Sequence, residues 1–235
     1  VEKIFKKWSP AIFLGWSNIG FDDEMIRKEF FKGIRYPYIT NSSPNKRHDG
    51  LNIARGAYAV DNNVLETETS KKGNAVMKLE SLARTNGLEV SGAHSALFDA
   101  ELTLKILGLI KKKQPDTWDA FLQTANKLDV ETIFKKEKII TLNEYFYGKS
   151  RLYLCAPLNP KYSIHPIYQW GQAVDLRTDV EPLLNLSINE LKREMKKTPK
   201  FLRTIRSNKA PIILDESYGM KVEPYNAIDP NLINK

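Results

Sequence analysis

The sequence predicts an α/β chain: a helix-rich first part built on a strand, then a smaller β-rich part. Three observations carry this. A short apolar run at residues 11–16 is followed by a turn and then by segments with apolar residues at helical spacing, as a sheet covered by helices requires. From about Lys138 the pattern changes to short β-type runs separated by turn residues. Across 235 residues, a hydrophobic content of 42% is enough to build real cores, in one large or two small domains.

In order along the chain, residues 11–16 read as a buried strand, residues 18–20 as a turn, and residues 21–31 as a helix whose Phe21, Met25, Ile26 and Phe30 are apolar. Residues 37–50 read as a loop with Pro37, Pro44 and Gly50. In its basic patch Lys46-Arg47-His48, His48 is expected to face solvent. Helices are predicted at 50–60, 78–86, 95–113 and 116–127, with a polar loop at 61–76 containing Gly73. Beyond them, residues 139–142, 151–156, 164–170 and 173–176 read as strands, with His165 before Pro166 as a structural residue, and residues 188–197 read as a helix. The change of pattern divides the chain into 1–127 and 128–235.

The formal charge of +8 and a pI near 9.3 favour a polyanionic partner, although net charge also serves solubility. Between residues 190 and 209 eight basic residues face only Glu190 and Glu194. Lys192, Arg193, Lys196 and Lys197 recur at helical spacing there, as a phosphate-facing stripe or as an ordinary solvated face. Tyr145, Phe146, Tyr147, Tyr153, Tyr162, Tyr168 and Trp170 are interleaved before that stretch; they suit stacking on unpaired bases or packing in strands. Cys155 is the only cysteine, which excludes an internal disulfide and a cysteine-based metal site. A reducing compartment, the cytoplasm, is the expected home, and no apolar run approaches membrane length.

Two motifs carry chemistry. In the first, Asn18-Ile19-Gly20-Phe21-Asp22-Asp23 puts an acidic pair at a strand-to-helix junction, where α/β sheets commonly bind ligands; helix capping is the alternative. In the second, His94-Ser95-Ala96-Leu97-Phe98-Asp99, Ser95 is a plausible N-cap. His94 then lies on the approach loop and Asp99 in the first turns of a helix, so that base and carboxylate can converge. Such a His-to-Asp spacing is weak evidence alone.

Together with their flanks, these motifs resemble those of bacterial exonuclease I, in the histidine-containing branch of the DEDD exonuclease superfamily. Phe13-Leu14-Gly15-Trp16-Ser17-Asn18-Ile19-Gly20-Phe21-Asp22-Asp23-Glu24 is similar to that family's second motif, and Ala93-His94 through Asp99-Ala100 to its third. Tyr36-Pro37-Tyr38, the stretch from Leu51 to Tyr58 and Lys78-Leu79-Glu80-Ser81-Leu82-Ala83-Arg84-Thr85-Asn86-Gly87 follow between them in the family's order. Ala156-Pro157-Leu158 and Ala173-Val174-Asp175-Leu176 look like landmarks of its second domain. The resemblance implies a ribonuclease H-like exonuclease core over 1–127 and a small SH3-like β-rich domain over 128–235. It implies Asp22 and Asp99 as ligands of divalent metal, His94 as general base, and Asn18 and Phe21 as supporting residues that shape and pack the turn. It also implies two Mg2+ ions, replaceable by Mn2+, one forming hydroxide from water and the other stabilising the leaving oxygen. Lys78 would touch substrate phosphate. The substrate would be single-stranded DNA, trimmed from its 3′ end, and a further partner the acidic tail of single-stranded DNA-binding protein.

One departure stands out. The family's first motif, an Asp-x-Glu on the opening strand, has no counterpart in Val1 to Pro10, where Glu2 is alone. Asp129-Val130-Glu131 and Asp179-Val180-Glu181 come after the third motif and read as solvated pairs. The chain also begins with Val. An N-terminally truncated fragment, without the family's C-terminal helical region and inactive alone, is the expectation. A non-catalytic single-strand binder and an RNA-trimming relative are the alternatives.

Overall fold

In a computed structural model, the described residues are 1–91, 95–159, 161 and 167–228; His94, His165 and residues 164–166 of the strand expected at 164–170 lie outside them. The chain folds as a mixed α/β structure. After α1 (Glu2–Trp8), the expected strand forms as β1 (Ile12–Gly15), and a 3-10 turn (Asn18–Gly20) leads into α2 (Asp22–Lys32). The basic patch taken as loop is instead a strand, β2 (Lys46–Asp49), parallel to β1 with Leu14 opposite His48 and Gly15 opposite Asp49. His48 is therefore fully buried, at 0% exposure, and not a solvent-facing loop residue.

Five helices follow, and for four of them a local signal explains where they start. Asp49 caps α3 (Gly50–Val60) by accepting the Leu51 N–H. After α4 (Leu79–Thr85), Ser95 caps α5 (Ala96–Lys113) by accepting the Phe98 N–H, and Leu102, Ile106, Leu107 and Ile110 form its buried stripe. The helix expected at 116–127 forms as α6 (Pro115–Leu122), with Pro at its start, and stops at Leu122; a separate helix, α7 (Lys127–Lys136), capped by Asn126, begins where the expected one ends. These helices bury a core of Ile53, Ala57, Leu82, Ile106, Ile110 and Phe121.

The β-rich part is an antiparallel five-stranded sheet in the order β6-β5-β4-β3-β7. Its strands are β3 (Ile140–Phe146), β4 (Lys149–Pro157), β5 (Gly171–Asp175), β6 (Leu202–Ile205) and β7 (Ile212–Leu214). Residues 167–170 form turn and coil rather than strand. Between β5 and β6 lie α8 (Glu181–Leu184) and α9 (Ile188–Glu194), the latter closed by a Ser187–Glu190 capping box and ending before Lys196 and Lys197; α10 (Glu216–Gly219) follows β7. Val130 and Phe134 of α7 pack with Leu142, Leu154, Ala173, Ile205 and Tyr225 in a second core.

The two cores meet at β7. Ile212 and Leu214 belong to the first core although they lie far along the chain, while Ile213 belongs to the second, as strand alternation requires. Gly56 permits this approach: a Cβ there would lie 2.9 Å from Cγ2 of Ile212. Side chains add two bonds across the same junction, from Ser150 Oγ to the Arg55 carbonyl and from Gln123 Nε2 to the Ile213 carbonyl, and Gln114 Nε2 donates to the Ala57 carbonyl within the first part.

Candidate active-site cleft

The acidic pair at the start of α2 divides into unlike partners. Asp22 is exposed and lines a cleft of about 650 Å³; Asp23, one residue on, is buried at 5% exposure. Asp23 Oδ2 lies 3.2 Å from Nη1 of buried Arg47 and accepts a bond from Asn18 Nδ2 at 3.3 Å. Burial pushes the Asp23 carboxyl up from its ordinary value, against the opposing pull of Arg47 and Arg27. Asp23 is thus a structural group that ties α2 to β2.

Asp99, in the first turn of α5, lines the same cleft as Asp22. The walls between them are Gly15, Asn18 and Thr103, with Phe5, Trp8 and Phe13 on the apolar side. Close packing brings the two helix starts together, since a Cβ on Gly50 would sit 3.0 Å from the Gly15 carbonyl and 3.2 Å from Thr103 Cγ2. The folded chain therefore converges Asp22 and Asp99 on one space.

The turn bearing Asp22 is pinned by Asp49, a residue that sequence reasoning missed. Its carboxylate accepts N–H groups of Ser17 at 2.9 Å, Ile19 at 3.4 Å and Leu51 at 2.9 Å. Burial raises the Asp49 carboxyl and these N–H bonds pull it back. The signal was present as Asp-Gly ahead of an apolar helix, a capping pattern. Arg47 was missed too, because its strand was taken as loop.

Asn18 is buried, bonded to Asp23 and lines the cleft, with Oδ1 lacking a hydrogen-bond partner among the described residues. Phe21 does not pack beneath the turn; it is 66% exposed at the N-cap of α2. Lys78 is exposed at the N-cap of α4, beside Leu79 of the cleft. Lys192, Arg193, Lys196 and Lys197 are exposed on and after α9, far along the chain from the cleft residues, and Lys197 pairs with Glu194 at 2.6 Å.

Two carboxylates at one cleft are oxygen donors of the kind that hard divalent cations prefer. Among the described residues, no group of three or more His, Cys, Asp or Glu side chains is arranged to hold a metal ion. As oxygen donors on one cleft, Asp22 and Asp99 suit part of the shell of a hard divalent cation. No described helix is long and apolar enough to cross a membrane.

No family model matches the chain. It is similar to exodeoxyribonuclease I of Buchnera aphidicola from Schizaphis graminum, 30% identical over 191 residues, which are 76% of this chain and 39% of that protein. It is also similar to the Haemophilus influenzae enzyme of that name, 30% identical over 77% of the chain and 39% of the protein, and to that of Escherichia coli K12, 28% identical over 77% and 39%. The matched part of the chain spans about two fifths of these relatives' length. In structure it resembles E. coli exonuclease I in complex with a dA16 oligonucleotide, with a TM-score of 0.75 and 24% identity over 99% of this chain and 53% of that one. An ExoI/SSB-Ct complex and the zinc-bound E. coli ExoI–ssDNA complex match with TM-scores of 0.74 and 0.73, each 24% identical and covering 99% of this chain and 53% and 51% of theirs.

Proposed function

This chain is bacterial exonuclease I-like in sequence and in fold, and from that premise we propose that it is part of a 3′-to-5′ exonuclease that hydrolyses single-stranded DNA and releases nucleotides. The observation that carries the reading is the meeting of Asp22 and Asp99, from separate helix starts, on one cleft. In this reading residues 1–127 are a partial ribonuclease H-like exonuclease domain and residues 128–235 an SH3-like domain that guides the strand. Asp22 and Asp99 hold divalent metal, Mg2+ or in its place Mn2+. Bound there, the metal supplies charge stabilisation on the phosphate oxygens in a two-ion site. His94 takes the proton of the attacking water, and a histidine's ordinary pKa suits that work near neutrality. Asn18 and Asp49 fix the turn that aims Asp22. Single-stranded DNA, and the acidic tail of single-stranded DNA-binding protein on the basic surface of the second part, are the partners.

The chain by itself is inactive in this account: of the carboxylates lining the cleft among the described residues, Asp23 is tied to Arg47, and Asp22 and Asp99 alone are left for a site that needs more. The test is degradation of a labelled single-stranded oligonucleotide with magnesium or manganese, beside Asp99→Ala and a matched RNA. Binding without hydrolysis is the expected result. Hydrolysis that Asp99→Ala abolishes would overturn the account of the missing carboxylates, and preferential trimming of RNA would overturn the substrate.

A further inference from the structure

A second cavity, of about 250 Å³, lies where β2, the start of α7 and the segment after β6 meet. Its lining is polar and rich in donors: Arg47, Lys127, Ser207, Asn208, Asn126 and Asn41. Ser207 is 3% exposed, yet its Oγ has no hydrogen-bond partner among the described residues. Arg47 is 5% exposed; its Nη2 donates to the Asn208 carbonyl at 3.0 Å, while Nη1 faces Asp23 at 3.2 Å without meeting hydrogen-bond geometry. Asn41 Oδ1 also has no partner among the described residues, but as an acceptor it is not one of these donors. A buried donor without a hydrogen bond is costly, so the Ser207 hydroxyl, beside the Arg47 guanidinium at a polar cavity, indicates an occupant that accepts hydrogen bonds.

Charge selects among acceptors. Helix α7 begins at this wall and runs ten residues, directing its positive end at the space, with Asn126 as its cap. The carboxylates in the neighbourhood are already engaged: Asp23 with Arg47, Asp129 with Lys46 at 2.7 Å, Glu131 with Lys127 at 3.2 Å, and Glu24 with Arg27 at 2.9 Å and Lys209 at 3.8 Å. Asn208 of the lining is held from behind, its Oδ1 accepting from Trp170 Nε1 at 2.8 Å. A water molecule satisfies single donors, but the cavity has room for a tetrahedral oxyanion, which takes several at once.

We propose that this cavity is a phosphate-binding site, separate from the cleft of Asp22 and Asp99, in which Ser207, Arg47, Lys127 and the start of α7 hold one phosphate group. The phosphate comes from a bound strand or from a free phosphate compound such as a nucleoside monophosphate; only the first source rests on the nuclease reading above. The test follows the backbone amides of Lys127 and Ser207 by nuclear magnetic resonance in the whole chain. Inorganic phosphate, a nucleoside 5′-monophosphate and a single-stranded oligonucleotide are titrated in turn, with oligonucleotide anisotropy measured in parallel. Shifts with all three assign a general phosphate site, and shifts with the oligonucleotide alone assign a strand phosphate. Shifts with the small anions in a chain that binds no oligonucleotide support the site and remove the nucleic-acid reading. Ser207→Ala and Lys127→Glu each weaken the bound species by about tenfold, as loss of one charge-assisted bond predicts. Should Lys127→Glu fail to fold, Ser207→Ala carries the comparison. No shift at these amides with any of the three, or unchanged affinity in both variants, overturns the proposal.

Discussion

Asp22 and Asp23 are neighbours in sequence with opposite surroundings, and the difference is measurable. Asp22 is exposed at the cleft, so Asp22→Ala changes stability by no more than about 0.5 kcal/mol while weakening the manganese binding proposed above. Asp23→Ala leaves the Arg47 guanidinium buried without its carboxylate and costs about 3 kcal/mol in urea unfolding. Equal stability losses for the two would refute this division. The sequence exposed both residues to view but left capping and chemistry as open alternatives for the pair. It could not separate them, because what distinguishes Asp23 is a partner on a strand that the local pattern did not reveal. Asp99 was legible for the opposite reason: Ser95 fixes the helix start, and the position in the first turn follows from it.

Among the elements, helices α3, α5 and α9, each with a capping side chain, were readable and short polar strands were not. Lys46-Arg47-His48-Asp49 has no apolar residue and no alternation, yet it is a strand whose last three residues are buried. Its register opposite β1 and its contacts to Asp23, Ser17 and the start of α3 replace the usual apolar pattern. Strands β6 and β7 are only four and three residues long, too short for periodicity to show. Burying β2 gives the fold an acid-sensitive element. His48 Nδ1 accepts the Asp49 N–H at 2.8 Å, and burial pulls its pKa down to about 4. The folded value lies below the unfolded value of about 6.5, so the neutral ring contributes stability above pH ~6.5 that is lost as pH falls toward 4, at most about 3 kcal/mol. Carboxylates add their own acid dependence: burial would raise Asp175, but Arg177, Arg203 and Tyr225 bond to it and hold it below its ordinary value. Urea unfolding of wild type and His48→Gln between pH 7 and 4 isolates the histidine. The wild type is expected to lose more stability than the variant, and parallel profiles would refute the assignment.

At the scale of the whole molecule, charge and topology have separate consequences. With a net charge of +8 and Lys192, Arg193, Lys196 and Lys197 exposed, oligonucleotide binding is expected to weaken steeply with salt. Each of these residues that meets a phosphate contributes about 0.7 to the log–log slope, so replacing all four with Gln lowers it by up to about 3. An unchanged slope would make this stretch a solvated face and nothing more. Topology acts through β7. Ile212 and Leu214 complete the core made by α3, α5 and α6, and Gly56 is shaped around Ile212. During synthesis, then, the first half of the chain emerges from the ribosome with one wall of its core still inside. It waits, partly open and in need of protection from aggregation, until the strand that seals it has been translated.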